Sequence, residues 1–301
     1  MTFKRKRAAW TGALIAAAVS AGVLAAPAAQ AADSKPAKLA VSDVPAKKHQ
    51  GVPAKAEQRA SATAASGNVT LVPGDKLLSN EYIETANGFL YMQPDGNLVL
   101  DHQYGAELWA TGTWGNNGAY AVYQGDGNFV VYKKDGGEGK GGALWSSGTW
   151  GNPNGRLDFQ DDANLVVYRQ DNSAAWSTRT WRVGDNSLVG GENLDSGTWM
   201  ASANSVLVQD ARGYFAVFYR PEVNRDPVGI GIYSIGAYTR MQKDGNLVLY
   251  KKGGGEGKGG ALWSSETWNS PGAYLVYGAS DSSLVLYAAN GERLGWFDSN
   301  D

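Results

Sequence analysis

Cysteine is absent from this 301-residue chain, histidine occurs only at His49 and His102, and no apolar run at helical spacing occurs after residue 31. Without cysteine there is no disulfide and no thiolate metal site, so stability has to come from packing, with many aromatics buried. Two histidines far apart in sequence argue against a hydrolytic triad or a multi-histidine metal centre. Missing helical periodicity, together with 40 Gly, 11 Trp and 15 Tyr, points to an all-β protein with many turns. Basic surplus is lacking too: taking away residues 1–31 removes four positive charges and no negative ones, which leaves a net of about −6. A nucleic-acid partner is therefore disfavoured, since phosphate binding needs a basic stripe.

What is present begins with a leader. Lys4, Arg5, Lys6 and Arg7 precede an apolar run over 8–26, then Pro27 and the triplet Ala29-Gln30-Ala31. This pattern predicts a signal peptide over 1–31 and a secreted, extracellular protein. An uncleaved anchor is the alternative, but the Ala content and the Ala-x-Ala site oppose it, so no membrane span is expected after cleavage. Residues 32–66 are mostly Ala, Lys, Pro and Ser and read as a flexible tether making few contacts with the rest of the chain.

The remainder is duplicated. VYKKDGGEGKGGALWSSGTW from Val131 to Trp150 recurs as LYKKGGGEGKGGALWSSETW from Leu249 to Trp268, and NVTLVPGDKLLS from Asn68 resembles DNSLVGGENLDS from Asp185. The duplication divides the chain into two domains, 67–182 and 183–301. Each contains a shorter repeat, a Gln-x-Asp-x-Asn-x-Val-x-Tyr element and then a Trp beside Ser and Thr. Full elements are QGDGNFVVY (Gln124, Asp126, Asn128, Val130, Tyr132), QDDANLVVY (Gln160, Asp162, Asn164, Val166, Tyr168) and QKDGNLVLY (Gln242, Asp244, Asn246, Val248, Tyr250). QPDGNLVLD keeps Gln93, Asp95, Asn97 and Val99 but ends in Asp101, a weaker version. Near Gln209 and Asp281 the element has decayed, with Ala279 in place of Gln and Ser283 in place of Asn in the latter.

Every unit reads as short strands around a Gly-containing turn, a hairpin too small to bury its own face. Three such sheets around a pseudo-threefold axis would share a core, and Trp109, Trp145, Trp176, Trp263 and Trp296 are expected to fill it. Folding back at the central Asp brings the Gln, Asp, Asn and Tyr polar groups together over an apolar Val, an arrangement suited to the vicinal hydroxyls of a sugar. A turn alone explains the Asp and Asn but requires neither the Gln nor the Tyr. The loops DGGEGKGG and GGGEGKGG lack the GxxxxGK[ST] pattern and read as long hairpins rather than phosphate cradles. Most Asp residues sit in repeated turns, which argues against a glycosidase pair; no enzyme activity, metal or cofactor is expected.

These elements resemble those of the bulb-type, or monocot, mannose-binding lectin family over nearly all of 68–301. The resemblance implies two tandem β-prism II domains, up to three sugar sites in each without metal, hydrogen bonds from the Gln, Asp, Asn and Tyr positions to mannose hydroxyls, and Val against the ring. It also implies frequent exchange of C-terminal strands, within the tandem pair or in a dimer. Two other readings stand beside it: the targeting part of a lectin-like bacteriocin, and a sugar-independent interaction module.

Overall fold

The computed structural model describes residues 67–297, together with the two-residue strands Ala37–Lys38, Ser42–Asp43 and Ala54–Lys55. The expected signal peptide and the rest of the tether lie outside the described residues. All those described belong to one compact unit that starts at Pro36. Among the described residues the only helical turn is the three-residue Pro221–Val223, and none of their helices is long and apolar enough to cross a membrane.

The chain is all-β, two tandem β-prisms of three sheets each. In the first, one sheet runs through Glu81–Glu84, Gly88–Met92, Leu98–His102 and Glu107–Ala110. A second holds Tyr120–Tyr123, Phe129–Gly137 and Gly141–Ser146, and a third Arg156–Phe159, Leu165–Tyr168 and Ala174–Ser177. The opening segment stitches them, since Val69–Leu71 pairs into the third sheet and Lys76–Leu77 into the second. The second prism repeats the plan, with Ser187–Leu188 and Asn193–Leu194 as the stitching strands.

Alternation decides what each strand buries. In Leu165–Tyr168, Leu165 and Val167 belong to the central core while Val166 and Tyr168 occupy the other face. Trp109, Trp145 and Trp176 meet as a triangle with ring centroids 5.2, 5.4 and 5.8 Å apart, all edge-to-face. That geometry suits aromatic quadrupoles and fills an axis no single hairpin could close. The second prism differs: Trp263 packs on Phe297 at 5.7 Å, and Phe297 on Phe215 at 5.9 Å. Phe297 thus joins this core, and the expected core role of Trp296 falls on a side chain outside the described residues.

Two further expectations need correction. The final strand of each prism pairs inside its own prism, Ala174–Ser177 on Leu165–Tyr168 and Arg293–Phe297 on Leu284–Tyr287, so among the described residues no C-terminal exchange links the two prisms of this chain. The tether also makes more contact than its composition suggests. Ala37–Lys38 pairs with Gly295 and Trp296, Ser42–Asp43 with Gly229 and Val228, and Ala54–Lys55 with Glu81 and Tyr82. Backbone pairing at a sheet edge asks little of side chains, which is why a composition poor in large apolar residues did not reveal it.

The prisms are joined through the outer face of one sheet. Trp199, Val206, Val208, Tyr214, Ala216 and Phe218, from the first sheet of the second prism, cluster with the core of the first. Trp199 is the anchor: its indole N–H donates to the Asp162 and Thr180 carbonyls, both at 3.2 Å, and His102 stacks edge-on at 4.7 Å. Ala211 N–H donates to the Glu107 carbonyl at 2.7 Å.

Two buried titratable groups sit at this junction. Burial pushes the His102 imidazole down to about 3. Burial also pushes the Asp210 carboxyl up to about 6, outweighing its 2.6 Å ion pair with Arg212. Below about 6.5 the unfolded chain holds a proton that native His102 refuses, so stability falls with pH down to about 3. Native Asp210 holds a proton that the unfolded chain releases between about 3.8 and 6, so stability rises as pH falls through that window. The slopes oppose each other from about pH 4 to 6 and cancel. Urea unfolding should then show His102→Gln more stable at pH 4 than at pH 6, and Asp210→Asn losing about 1.4 kcal/mol per pH unit on the same descent. Parallel pH profiles for the two variants would overturn this assignment.

Candidate functional site

Each full element is one hairpin, and its hydrogen bonds repeat from copy to copy. The Gln N–H donates to the Asn carbonyl at 2.8 to 2.9 Å, and the residue before the Asn donates back to the Gln carbonyl at 2.9 to 3.2 Å. The Asp is not free to wander, because one of its oxygens accepts the Asn N–H at 3.0 Å for Asp126, Asp162 and Asp244 alike. The turn needs a left-handed residue just before the Asn: Gly127 at φ 85° and Gly245 at φ 96°. A methyl on Gly127 would sit 2.1 Å from the Asn152 carbonyl oxygen, and one on Gly245 2.0 Å from that of Ser270. In the third copy Ala163 takes this position at φ 64°. Room exists for it because the Asp162 carbonyl is met there by the Trp199 indole, where Asp126 and Asp244 receive the Asn152 and Ser270 backbone N–H groups.

The Asn carbonyl oxygens are also committed. That of Asn128 accepts from Thr149 N–H at 3.2 Å and Ser147 Oγ at 3.1 Å; that of Asn246 accepts from Thr267 N–H at 3.3 Å and Ser265 Oγ at 3.2 Å. Asn164 uses Arg179 N–H and Thr178 Oγ1, both at 3.1 Å. Across the hairpin the Gln Nε2 donates to the Tyr hydroxyl eight residues on, at 3.0 Å in Gln124–Tyr132 and Gln160–Tyr168 and at 2.6 Å in Gln242–Tyr250. These bonds leave a defined remainder: the Gln Oε1 and second Asp oxygen as acceptors, the Asn Nδ2 and Tyr O–H as donors. Burial, and then the neighbouring Tyr238, hold the Tyr250 hydroxyl above the ordinary tyrosine value, so it remains a donor at neutral pH.

Beneath the polar groups lies a small apolar floor on the outer face of the sheet. Val130 and Tyr132 cluster with Val122 and Tyr120, apart from the prism core. Tyr120 and Tyr132 lie 5.9 Å apart, Tyr238 and Tyr250 5.7 Å. The Tyr120 hydroxyl donates to the Gly136 carbonyl at 3.0 Å and the Tyr238 hydroxyl to that of Gly254 at 2.9 Å. The long glycine hairpins are thus tied beside these two sites. The third copy has no such hairpin and carries a cation instead, with the Arg156 guanidinium 4.6 Å from the Tyr168 ring centre.

The remaining units depart for visible reasons. Gln93, Asp95, Asn97 and Val99 form the same turn, with Asn97 N–H on Asp95 at 2.9 Å, but Asp101 is fully buried and offers Gln93 no hydroxyl. Near Gln209 the hairpin register is one residue later than the repeat pattern suggests. Asp210 N–H meets the Tyr214 carbonyl, so Asp210, Tyr214, Ala216 and Phe218 stand where Gln, Asn, Val and Tyr stand elsewhere. Gln209 itself is fully buried, accepting from Thr239 Oγ1 at 2.7 Å. Ala216 and Phe218 lie in the junction between prisms, so at this unit the positions of the Val and Tyr serve contact between prisms. At Asp281 the turn survives, with Ser283 N–H on the carboxylate at 3.0 Å, but Ala279 and Ser283 supply no amide.

Sequence reasoning overlooked one feature. Trp114, Trp150, Trp181 and Trp268 each come directly after the Thr whose N–H reaches the Asn, and all four are exposed. The recurring Thr-Trp pair was the available signal. Among the described residues no cluster of His, Asp and Glu has the make-up of a metal site.

No family model matches the chain. A mannose-specific lectin of Dendrobium findlayanum is 37% identical over 80 residues, 26% of this chain and 47% of that protein, so the chain spans about half the length of this curated relative. Among solved structures, a monomeric monocot mannose-binding lectin from Gastrodia elata is 31% identical, covering 40% of this chain and 100% of its own, with a TM-score of 0.34. The snowdrop (Galanthus nivalis) agglutinin, solved with methyl-α-D-mannoside, is 31% identical over 36% of this chain and 95% of its own, with a TM-score of 0.29.

Proposed function

Because this chain belongs to the bulb-type, or monocot, mannose-binding lectin family, we propose that it is a secreted lectin that binds mannose or a closely similar hexose. The sites are the turns of Gln124–Tyr132, Gln160–Tyr168 and Gln242–Tyr250, and the ligand is a polymeric or cell-surface glycan. One observation carries the reading: the same two acceptors and two donors remain uncommitted over a Val in all three hairpins.

The chemistry derives from that remainder. The Asp oxygen and Gln Oε1 accept two sugar hydroxyl protons, Asn Nδ2 and Tyr O–H donate to sugar oxygens, and the Val methyls meet ring carbons. An epimer that turns one hydroxyl away leaves a polar group of this set unpaired, and that penalty is the source of discrimination. No bond in the sugar is made or broken. Gln93–Asp101 lacks the Tyr donor and is the weakest of the four.

Calorimetric titration of the full chain with yeast mannan, competed by free mannose and by galactose, tests the function. Mannan binding that mannose displaces and galactose does not is the expected result. A folded chain that binds neither mannan nor mannose would overturn it.

A further inference from the structure

We propose that Trp150 and Trp268 are aromatic platforms for a second pyranose, the neighbour in a glycan chain of the sugar held at Gln124–Tyr132 or Gln242–Tyr250. The inference rests on the lectin reading and extends it from a monosaccharide site to an oligosaccharide site.

The indoles have no structural duty that accounts for them. The core of each prism is filled by other aromatics, while Trp150 is 72% exposed and Trp268 49%. A single exposed apolar residue needs no explanation, but an exposed indole stands at the same place beside a full turn in both prisms, directly after the Thr that reaches the turn's Asn.

Both are also held firmly against the sugar turn. On one side of Trp150, Thr149 Oγ1 donates to the Gly127 carbonyl at 2.7 Å; on the other, Asn152 N–H donates to the Asp126 carbonyl at 2.9 Å. Trp268 is clamped alike, by Thr267 Oγ1 on Gly245 at 2.6 Å and Ser270 N–H on Asp244 at 3.1 Å. Two residue steps from Asn152 place the Trp150 backbone within roughly 10 Å of that of Asp126, inside the reach of an adjoining sugar. An indole with its backbone fixed and only two side-chain torsions presents a wide face at small entropic cost. The C–H face of a pyranose is the complementary surface, apolar and weakly positive against a π face.

Trp114 supplies an internal control. It is 64% exposed and similarly clamped, with Asn116 N–H on the Asp95 carbonyl at 2.9 Å, but its turn lacks the Tyr hydroxyl and holds the first sugar poorly.

The test compares methyl α-mannoside with an α-linked mannotriose, by calorimetry on the full chain, for wild type, Trp150→Ala/Trp268→Ala and Trp114→Ala. Trisaccharide affinity should drop about tenfold in the double variant, while monosaccharide affinity stays within about twofold. Trp150→Phe/Trp268→Phe should fall between, and Trp114→Ala should match wild type. Unchanged trisaccharide binding in the double variant, equal weakening of both ligands, or an equal effect of Trp114→Ala overturns the proposal. A wild-type chain that binds neither sugar overturns the lectin reading instead.

Discussion

Trp199→Ala will destabilise the chain by about 3 to 5 kcal/mol, the cost typical of emptying a buried Trp site. The residue is 1% exposed and sits among His102, Asp162 and Thr180 of the first prism. Truncation removes its packing and also leaves two carbonyls without their donor. Trp199→Phe separates these contributions, because the ring is largely kept while the N–H is lost; a cost of about 1 to 2 kcal/mol is expected for it. Urea unfolding monitored by circular dichroism measures both. A loss below about 1 kcal/mol for Trp199→Ala would show that the junction does not depend on this side chain.

Changing Tyr132, Tyr168 and Tyr250 together to Phe will abolish useful binding to a mannose polymer. Each substitution removes one donor to the sugar and the acceptor of the Gln Nε2 bond, leaving the ring in place. Several weak sites acting on one polymer multiply their effect, so the loss should reach about 10² to 10⁴ in apparent affinity. Retention on a mannan column and the thermal midpoint, read side by side, decide the matter. Full retention by a folded triple variant would remove these hairpins from the function. Changing the three Asn residues to Ala is a poorer test. Their carbonyl oxygens accept bonds from the Ser and Thr segments, so the turn itself would be lost along with the donor.

Much of the architecture was legible in the residues. The Gln-to-Tyr spacing in three copies foretold a hairpin with both ends on one face, and the structure closes it with a Gln–Tyr hydrogen bond in each. The Trp expected at the centre of the first prism meet there as a triangle. Errors arose where a local pattern gives no handle on a distant partner. Gln209 looked like the first residue of a decayed motif, yet the hairpin closes one residue later, at Asp210. The tether dipeptides pair by backbone atoms, which composition does not report.

The sequence by itself determined the strands, the turns and the polar set offered by each hairpin, because alternation, left-handed glycines and short-range side-chain bonds act within one repeat. Only the tertiary structure decided which outward faces meet water and which meet the other prism. Equivalent positions carry Val130 in the small outer cluster of its own hairpin and Ala216 inside a junction sealed by Trp199. The reason is physical: burial of a sheet's second face is settled by what packs on it, and that partner lies on a different repeat, far along the chain.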